Sequence, residues 1–493
     1  MNYISTRNSN IKIDSSDAII RGLSSDGGLF MPECIPTLST EEISALTNMD
    51  YKARAKTILS KFLTDYTDAE LDACVNGAYS AVKFGGDEPT PVTKLDDDNY
   101  VLELWHGPTC AFKDMALQIL PWLLTTAMRK KGETRTVVIL VATSGDTGKA
   151  ALEGFCDVEG TKILVFYPKD GVSEVQKKQM TTQSGDNTGV MGIIGNFDDC
   201  QNGVKKIFGN EDTIKKLQDG GFVFSSANSI NWGRLVPQIV YYFSAYADLV
   251  KRGEIKFGDK LDFVVPTGNF GDILAGFIAK KMGLFAGKFV CASNCNNVLT
   301  DFINTGVYDR NRDFYTTISP SMDILISSNL ERLLFIMSGS DDKKTADYMN
   351  KLNKTGKYSV DEDLLKSIKS EFLAGYADEK ATVEAIRDAY ERYNYVMDPH
   401  TAVAYSVSKQ IKCENKTVIL STASPYKFPA SVIEGISTKP NVENEFELFE
   451  MLNKISGVEI PSSLKNLENK QSRFTEYCKK DEMTQKVYEF LGL

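Results

Sequence analysis

Histidine is nearly absent from this chain: only His106 and His400 occur among its 493 residues. This scarcity excludes His-rich metal sites and leaves little room for a Ser-His-Asp hydrolase. The nine cysteines are scattered from Cys34 to Cys478, so neither a disulfide framework nor a four-ligand zinc site is predicted. We therefore expect reduced thiols, no metal, and, if the protein is an enzyme, a group other than histidine to handle protons.

Long apolar runs are missing as well. The first twenty residues lack the charged start and unbroken apolar core of a secretory signal, and no apolar run reaches the roughly 18 residues that span a membrane. With 56 basic and 66 acidic residues the net charge is -10, and no Lys/Arg stripe interleaved with aromatics is present. We expect a soluble cytoplasmic protein with no membrane or nucleic-acid partner.

The chain does contain a repeated alternation of short buried-strand patterns with helical patterns. With 42% hydrophobic residues and this length, it has enough apolar material for two to four structural units. The alternation predicts an α/β fold with parallel sheets covered by helices on both faces. The strand patterns are YVLELW, TVVILVAT, KILVFYP, GVMGIIG, LDFVVPTGN, KFVCAS and, later, KTVILST.

Changes in pattern along the chain predict three units. Residues 1–92 form an N-terminal unit that ends at the turn-rich GGDEPTPV, and 93–440 form the main domain. We expect two lobes in the main domain, the smaller at about 120–235, and a charged helical insertion at about 340–395. The remaining residues, 441–493, are polar and helical in pattern, and their role is not evident from the sequence.

The stretch VVILVATSGDTGKAALEG, residues 137–154, runs from a strand through a Gly-rich turn into a helix. A helix N-terminus favours an anion because its backbone N–H groups are unpaired. The P-loop pattern of nucleotide-binding proteins fails here, since Thr143 and Ala150 occupy the positions of its first glycine and its metal-binding hydroxyl. The loop is predicted to bind an anion that is not a nucleotide.

Lys113 follows an aromatic residue and a Gly-Pro turn in WHGPTCAFKDMAL. A lysine that is partly desolvated at such a place has a lowered pKa and a nucleophilic amine, which suits a Schiff base. A surface lysine in the first turn of a helix is the alternative on this stretch alone.

Two further loops carry groups suited to phosphate. In VVPTGNFGDILAG, residues 264–276, the glycines allow backbone N–H groups to surround a phosphate, although a simple strand-to-helix turn has the same pattern. In SSANSINWGRL, residues 225–235, amide, hydroxyl and guanidinium groups could converge on a phosphate monoester, with helix capping and a surface arginine as the alternative.

A Ser-Thr pair, Ser421 and Thr422, follows the strand in VILSTASPYKF. A neutral hydroxyl there could meet a heteroaromatic nitrogen and leave it unprotonated. Taken alone, such a pair is ordinary turn chemistry.

Together these motifs resemble those of the threonine synthases, pyridoxal-phosphate enzymes of fold type II, the tryptophan synthase β-chain-like fold. The resemblance runs in order from residue 1 to about 440 and also includes YISTRN, DGGLFMPE and DPHTAVAY. HGPTCAFKD and SGDTG are its most specific parts. The chain departs from the family's usual TAHPAKF at Ser424 and Tyr426.

The resemblance implies a role for each motif. Lys113 matches the lysine that binds the cofactor covalently, and Thr422 the hydroxyl that meets its pyridine nitrogen. The loop that holds the cofactor phosphate matches Gly268, Asn269, Phe270, Gly271 and Asp272. The loop that faces the cofactor's 3-hydroxyl and the substrate carboxylate matches Ser144, Gly145, Asp146 and Thr147. The residues that hold the substrate phosphate match Asn228, Ser229 and Arg234.

The resemblance also implies an activity. O-phospho-L-homoserine and water would give L-threonine and phosphate by γ-elimination and β-hydration, the last step of threonine biosynthesis, in a monomer or homodimer. Three alternatives stay open: a phospho-lyase that releases 2-oxobutyrate, another fold type II amino-acid lyase, and a non-catalytic paralogue.

Overall fold

The apolar runs fold into strands, as a computed structural model of the protein shows for residues 1–143, 145–170, 172–442 and 444–493. The strands are β1 (Tyr3–Ser5), β2 (Asn8–Ile13), β3 (Phe30–Pro32), β4 (Val92–Lys94), β5 (Asn99–Glu103), β6 (Thr136–Ala142), β7 (Thr161–Pro168), β8 (Thr188–Ile194), β9 (Phe222–Ser225), β10 (Leu261–Pro266), β11 (Ala286–Ser293), β12 (Val307–Asp309), β13 (Lys357–Ser359), β14 (Phe372–Tyr376), β15 (Lys416–Ser421) and β16 (Tyr477–Lys479).

Helices connect and cover these strands. They are α1 (Ser15–Arg21), α2 (Thr40–Leu46), α3 (Tyr51–Phe62), α4 (Asp68–Ala78), α5 (Ala81–Phe84), α6 (Asp114–Leu117), α7 (Leu120–Lys131), α8 (Asp146–Phe155), α9 (Glu174–Thr181), α10 (Phe197–Phe208), α11 (Glu211–Asp219), α12 (Trp232–Leu235), α13 (Gln238–Lys251), α14 (Gly271–Lys281), α15 (Val298–Thr305), α16 (Leu330–Met337), α17 (Asp342–Thr355), α18 (Glu362–Glu371), α19 (Glu379–Tyr393), α20 (Pro399–Gln410), α21 (Pro429–Ile436), α22 (Glu447–Ser456) and α23 (Met483–Leu491). Short 3₁₀ turns lie at Pro320–Met322 and Pro425–Lys427.

Two parallel sheets form the centre of the molecule, which confirms the predicted α/β fold with helix-covered parallel sheets. The larger has the order β14-β11-β10-β15-β5-β4 and is parallel except at the β4–β5 edge. The smaller has the order β16-β8-β7-β6-β9 and is parallel throughout. Their central strands are buried on both faces, as β6 illustrates, because helices cover each side.

The N-terminal unit is packed firmly onto the main domain. Its antiparallel sheet β2-β1-β3 and helices α1–α5 share one continuous apolar core with helices of the large lobe. Tyr3 and Phe62 each place their ring 5.5 Å from that of Trp232, at the start of α12. Arg7 also pairs with the buried Glu331 of α16 at 2.7 Å.

The segment 340–395 contributes α17, α18 and α19, and also two strands. β13 pairs with β12, and β14 forms an edge of the large sheet next to β11. Its charged pattern reflects the exposed faces of those helices.

The C-terminal residues extend across both lobes. In the large lobe, α22 packs Leu448, Phe449 and Leu452 into the core around Tyr426. Further along the chain, β16 adds a parallel strand to the edge of the small sheet beside β8, and α23 packs on the same core. Among the described residues, no helix combines the length and apolar character needed to cross a bilayer.

Candidate active site

The candidate residues follow the carboxyl ends of parallel strands, where open α/β sheets bind ligands. The loop after β5 leads to Lys113 at the start of α6, and the loop after β15 contains Thr422. The Thr422 carbonyl accepts a hydrogen bond from the Phe112 N–H at 2.8 Å, which brings these two loops together beside Lys113.

The buried carboxylate of Asp114 stabilises the loop before Lys113 by hydrogen bonds. Asp114 accepts hydrogen bonds from both the backbone N–H and the hydroxyl of Thr109, each at 2.8 Å. A Cβ at Gly107 would lie 2.5 Å from the Asp114 side chain, so this position requires glycine. Burial raises the pKa of Asp114 to about 6.

Lys113 points into the site with only 11% of its side chain exposed. Its amine donates to the Ser321 hydroxyl at 3.0 Å and lies 3.6 Å from Asp146 Oδ2. Burial lowers the pKa of the amine, and the charges of Arg234 and Lys427 lower it further against the opposing effect of Asp146. The lowered pKa makes the neutral, nucleophilic form of the amine easier to reach.

Asp146, at the start of α8, lies between two lysines. Lys427 Nζ lies 3.0 Å from its Oδ1, and Gln176 donates to the same oxygen at 2.9 Å. Burial acts to raise the pKa of Asp146, but Lys427 first and Lys113 second hold it well below its usual range. Asp146 is thus a buried, ionised carboxylate within reach of the Lys113 amine.

The loop around Asp146 depends on glycine. Gly145 has φ 144°, and a Cβ there would lie 2.4 Å from the Gln176 side chain. The Thr143 hydroxyl accepts from the N–H groups of Gly145 and Gly148, both at 3.0 Å. Thr147 is half-buried in the first turn of α8, whereas the predicted substrate residue Ser144 lies outside the described residues.

The predicted phosphate loop, Gly268–Asp272, joins β10 to α14. Phe270 adopts a left-handed conformation at φ 60° and makes no side-chain cap, which leaves the first-turn N–H groups of α14 to bind another acceptor. A Cβ at Gly268 would lie 2.6 Å from the Ser321 carbonyl. The Asn269 carbonyl accepts two hydrogen bonds from Asn329, at 3.0 and 3.1 Å.

Asp272, in the first turn of α14, directs its buried carboxylate toward α13. Its Oδ1 accepts from Tyr241 at 2.5 Å and Tyr242 at 2.9 Å, while its Oδ2 has no partner among the described residues. Burial raises the pKa of Asp272 to about 6. Its role in cofactor binding stays a prediction, since its described hydrogen bonds are to α13.

The loop after β9 contains the predicted substrate-phosphate residues Asn228, Ser229 and Arg234. Arg234 is buried; it donates to the Ala227 carbonyl at 2.7 Å, and its Nε has no partner among the described residues. Burial lowers the pKa of its guanidinium to about 10. A buried cation with an unused donor is suited to a phosphate.

Arg332 joins this loop to the phosphate loop and was not predicted from the sequence. It is fully buried and donates to the carbonyls of Ser229 at 3.2 Å and Ile230 at 2.6 Å. It also donates to the Phe30 carbonyl and to the Asn329 side chain. Nothing in its local sequence marks it, because its partners are distant in the chain.

Lys427 was also missed, although it stands within the motif LSTASPYKF. The two departures from the family pattern in that motif have structural partners. The Ser424 hydroxyl caps the turn by accepting from the Tyr426 N–H, and the Tyr426 hydroxyl donates to the Val458 carbonyl. Neither removes Thr422 from its place beside Lys113.

The residues present fit pyridoxal phosphate. A buried lysine with a lowered pKa can bind its aldehyde carbon, and the Gly-rich N-terminus of α14 can bind its phosphate. The hydroxyl of Thr422, a neutral group, can meet its ring nitrogen. Lys113, Gly268–Gly271 and Thr422 would therefore hold the cofactor.

Three protein-family models match the chain. "Threonine synthase N terminus" matches residues 2–79, "Pyridoxal-phosphate dependent enzyme" 84–423, and "Threonine synthase, C-terminal" 401–488. The second of these alone covers more than half of the chain.

Individual relatives agree with these models. The chain is 39% identical to threonine synthase of Pseudomonas aeruginosa, covering 89% of this chain and 92% of that protein. It is 41% identical to human threonine synthase-like 1 over 86% of this chain, but spans only 58% of that relative's length. The crystal structure of PLP-bound threonine synthase from Brucella melitensis superposes with a TM-score of 0.89 at 35% identity, covering both chains fully.

Proposed function

Because the chain belongs to the threonine synthase family, we propose that it converts O-phospho-L-homoserine and water to L-threonine and phosphate. The observation that carries this proposal is the presence of two largely buried basic side chains, Lys113 and Arg234, in loops at the carboxyl ends of parallel strands. The pKa of the lysine is lowered, in part by the charge of the arginine, and the arginine Nε has no partner among the described residues. That combination suits an amino-acid substrate with a phosphate on its side chain.

Substrate binding would use the two loops described above. Arg234, with Asn228 and Ser229, would bind the substrate phosphate, and the start of α8 with Thr147 and Ser144 would bind the substrate carboxylate. Binding both ends of the substrate fixes its α- and β-carbons relative to Lys113.

Proton transfer would depend on Lys113. The bound cofactor supplies an electron sink for the negative charge that develops at the α-carbon. Lys113, with its amine free and neutral, would take the α-proton and later return a proton to the carbon chain. Asp146 at 3.6 Å would stabilise the ammonium form between these transfers. The departing phosphate, still near Arg234, would serve as a second proton carrier.

The test is to incubate the cofactor-loaded protein with O-phospho-L-homoserine and to measure phosphate together with the organic product. Threonine formed one for one with phosphate is the expected result. No product from protein whose absorbance shows bound cofactor would refute the proposed substrate.

A second candidate is a lyase that releases 2-oxobutyrate, ammonia and phosphate from the same substrate and water. It would use the same Lys113 and the same loops. The same experiment separates the two, because 2-oxobutyrate appears instead of threonine.

For the protein's setting, we propose a cytoplasmic enzyme that is a monomer or homodimer and acts on a small molecule. In the described residues, which include every cysteine, all nine thiols are free, as a reducing compartment requires.

A further inference from the structure

Among the described residues, Ser321 is the one whose side chain accepts a hydrogen bond from the amine of Lys113, and no sequence motif points to it. It belongs to the 3₁₀ turn Pro320–Met322, more than two hundred positions along the chain from Lys113. The Lys113 amine donates to its hydroxyl at 3.0 Å, whereas Asp146 lies at 3.6 Å. Ser321 therefore makes the direct hydrogen bond, and Asp146 provides the charge.

A buried pair, His400 and Asp398, contacts the backbone N–H of Ser321. The Ser321 N–H donates to His400 Nε2 at 3.1 Å, and His400 Nδ1 lies 2.6 Å from Asp398 Oδ2. Since Nε2 accepts, the ring proton must reside on Nδ1, where the carboxylate fixes it. Both side chains are almost fully buried, so this arrangement is protected from water.

The turn Pro320–Met322 also contacts the phosphate loop, and the residue that follows it is held by hydrogen bonds. The close approach of the Ser321 carbonyl to Gly268 packs it against the phosphate loop. Two residues further on, the Asp323 carboxylate accepts hydrogen bonds from Thr317, Asn294 and Asn296 at 2.7–3.0 Å. The Ser321 hydroxyl is thus held at a defined position rather than on a free loop.

We propose that Ser321 is a catalytic residue that binds and orients the free amine of Lys113, and that His400 and Asp398 are positioning residues for Ser321. This inference rests on the proposed function, in which Lys113 moves protons. A hydroxyl accepts a hydrogen bond from the ammonium without neutralising it, so Lys113 can be held in place and still release its proton. The charged groups that face the amine are Asp146, Arg234 and Lys427.

The first readout is independent of the substrate. In cofactor-free, full-length protein, acetylation of Lys113 by acetic anhydride is followed by mass spectrometry as a function of pH, which gives the midpoint for deprotonation of the amine. In Ser321→Ala this midpoint should move to lower pH, because the ammonium loses an acceptor. Ser321→Thr, which keeps the hydroxyl, should restore it, and Ser338→Ala, a serine at the end of α16, is the matched control.

A double substitution tests the His-Asp pair. His400→Asn should shift the labelling midpoint in the same direction as Ser321→Ala, and should add no further shift in the Ser321→Ala background. His106→Asn, at the partly exposed second histidine, should change nothing. A shift that persists in the double variant would mean that His400 acts on Lys113 by another route, and would overturn its assigned role.

The second readout is turnover by the cofactor-loaded enzyme. We expect kcat of Ser321→Ala to fall about tenfold with little change in KM, the size expected for one lost hydrogen bond to a charged group. An unchanged midpoint and unchanged kcat in Ser321→Ala would overturn the proposal. If the protein turns over no phosphohomoserine at all, the labelling result still decides the role of Ser321, so the two failures are distinguishable.

Discussion

Lys427 Nζ lies 3.0 Å from Asp146 Oδ1, so a buried lysine that follows the large sheet pairs with a buried aspartate at the start of a small-lobe helix. The same lysine contacts Gln179 Oε1 at 2.5 Å, again in the small lobe. Asp146 also faces Lys113, so the two lysines share one carboxylate, and the Lys427 charge lowers the pKa of the Lys113 amine.

Replacing Lys427 tests this influence. In Lys427→Gln, Asp146 keeps only Lys113 as a cationic partner, and one charge that lowers the pKa of Lys113 is gone. The pKa of the amine should rise, and the acid limb of the kcat profile should move to higher pH, because Lys113 acts as a free, neutral base only in the substrate complex. The pH profile of the cofactor-loaded enzyme measures this.

Lys149→Gln is the matched control for Lys427→Gln. Lys149 is a buried lysine of α8, paired with Glu153 at 2.8 Å and with Gln183, but outside the site. An acid limb that moved equally in both variants would contradict a specific role for Lys427.

Arg234 should govern affinity for the phosphorylated substrate. In Arg234→Gln, KM for O-phospho-L-homoserine should rise about 10- to 100-fold, the range for loss of a charge-assisted hydrogen bond. Inhibition by inorganic phosphate should weaken in parallel. Arg252→Gln, which removes an arginine bonded to the Val92 carbonyl away from the site, should leave both constants unchanged. An unaltered KM in Arg234→Gln would remove Arg234 from substrate binding.

Asp272 should make the folded protein less stable as pH rises. Its folded-state pKa of about 6 exceeds the unfolded value of about 4, so the native state holds this proton more tightly. Its contribution is fully present below about pH 4 and is lost as pH rises through 6, a change of about 3 kcal/mol in the free energy of unfolding.

Urea unfolding of cofactor-free protein at several pH values measures that contribution. In Asp272→Asn the fall in stability between pH 4 and 7 should shrink by the stated amount. The fall should not vanish, because Asp114, whose pKa is also raised to about 6, still contributes to the pH dependence of the free energy of unfolding. An identical pH dependence in the variant and the parent protein would show that Asp272 ionises normally.

Arg332 should be needed for both stability and substrate binding. Arg332→Met leaves the carbonyls of Phe30, Ser229 and Ile230 without their donor, and each unsatisfied buried group costs about 1–3 kcal/mol. Arg332→Lys should rescue little, since an ammonium cannot match the planar donor set. Urea unfolding and KM measure the two effects, with Arg310→Met as control because it loses only a 3.5 Å bond to Asn353. A stable variant with normal KM would contradict this role.

The sequence was informative wherever local pattern decides structure. All seven apolar runs that we interpreted as strands became strands, because buried parallel strands are nearly continuous apolar runs. The structure divides them between two sheets, in which β4, β9, β14 and β16 were not predicted. β16 has too few apolar residues to be recognised, and its burial comes from β8 rather than from its own pattern.

Only those site residues that stand in local loop motifs could be predicted from the sequence. Lys113, Gly145 and Gly268 stand in motifs whose local chemistry is visible in the sequence. Ser321 and Arg332 act through partners brought together by the fold, and no spacing rule connects them to Lys113 or to Ser229. Their roles became visible only from hydrogen bonds between distant segments.

The C-terminal strand has a consequence for how the protein is made. β8, at residues 188–194, stays an open sheet edge until β16, at 477–479, has been synthesised and has emerged from the ribosome. During that interval the unpaired N–H and C=O groups of β8 and the apolar surface that α23 later covers are open to other chains. Slow translation between the two strands should therefore lengthen the period of aggregation risk and of chaperone dependence, while leaving the finished enzyme unchanged.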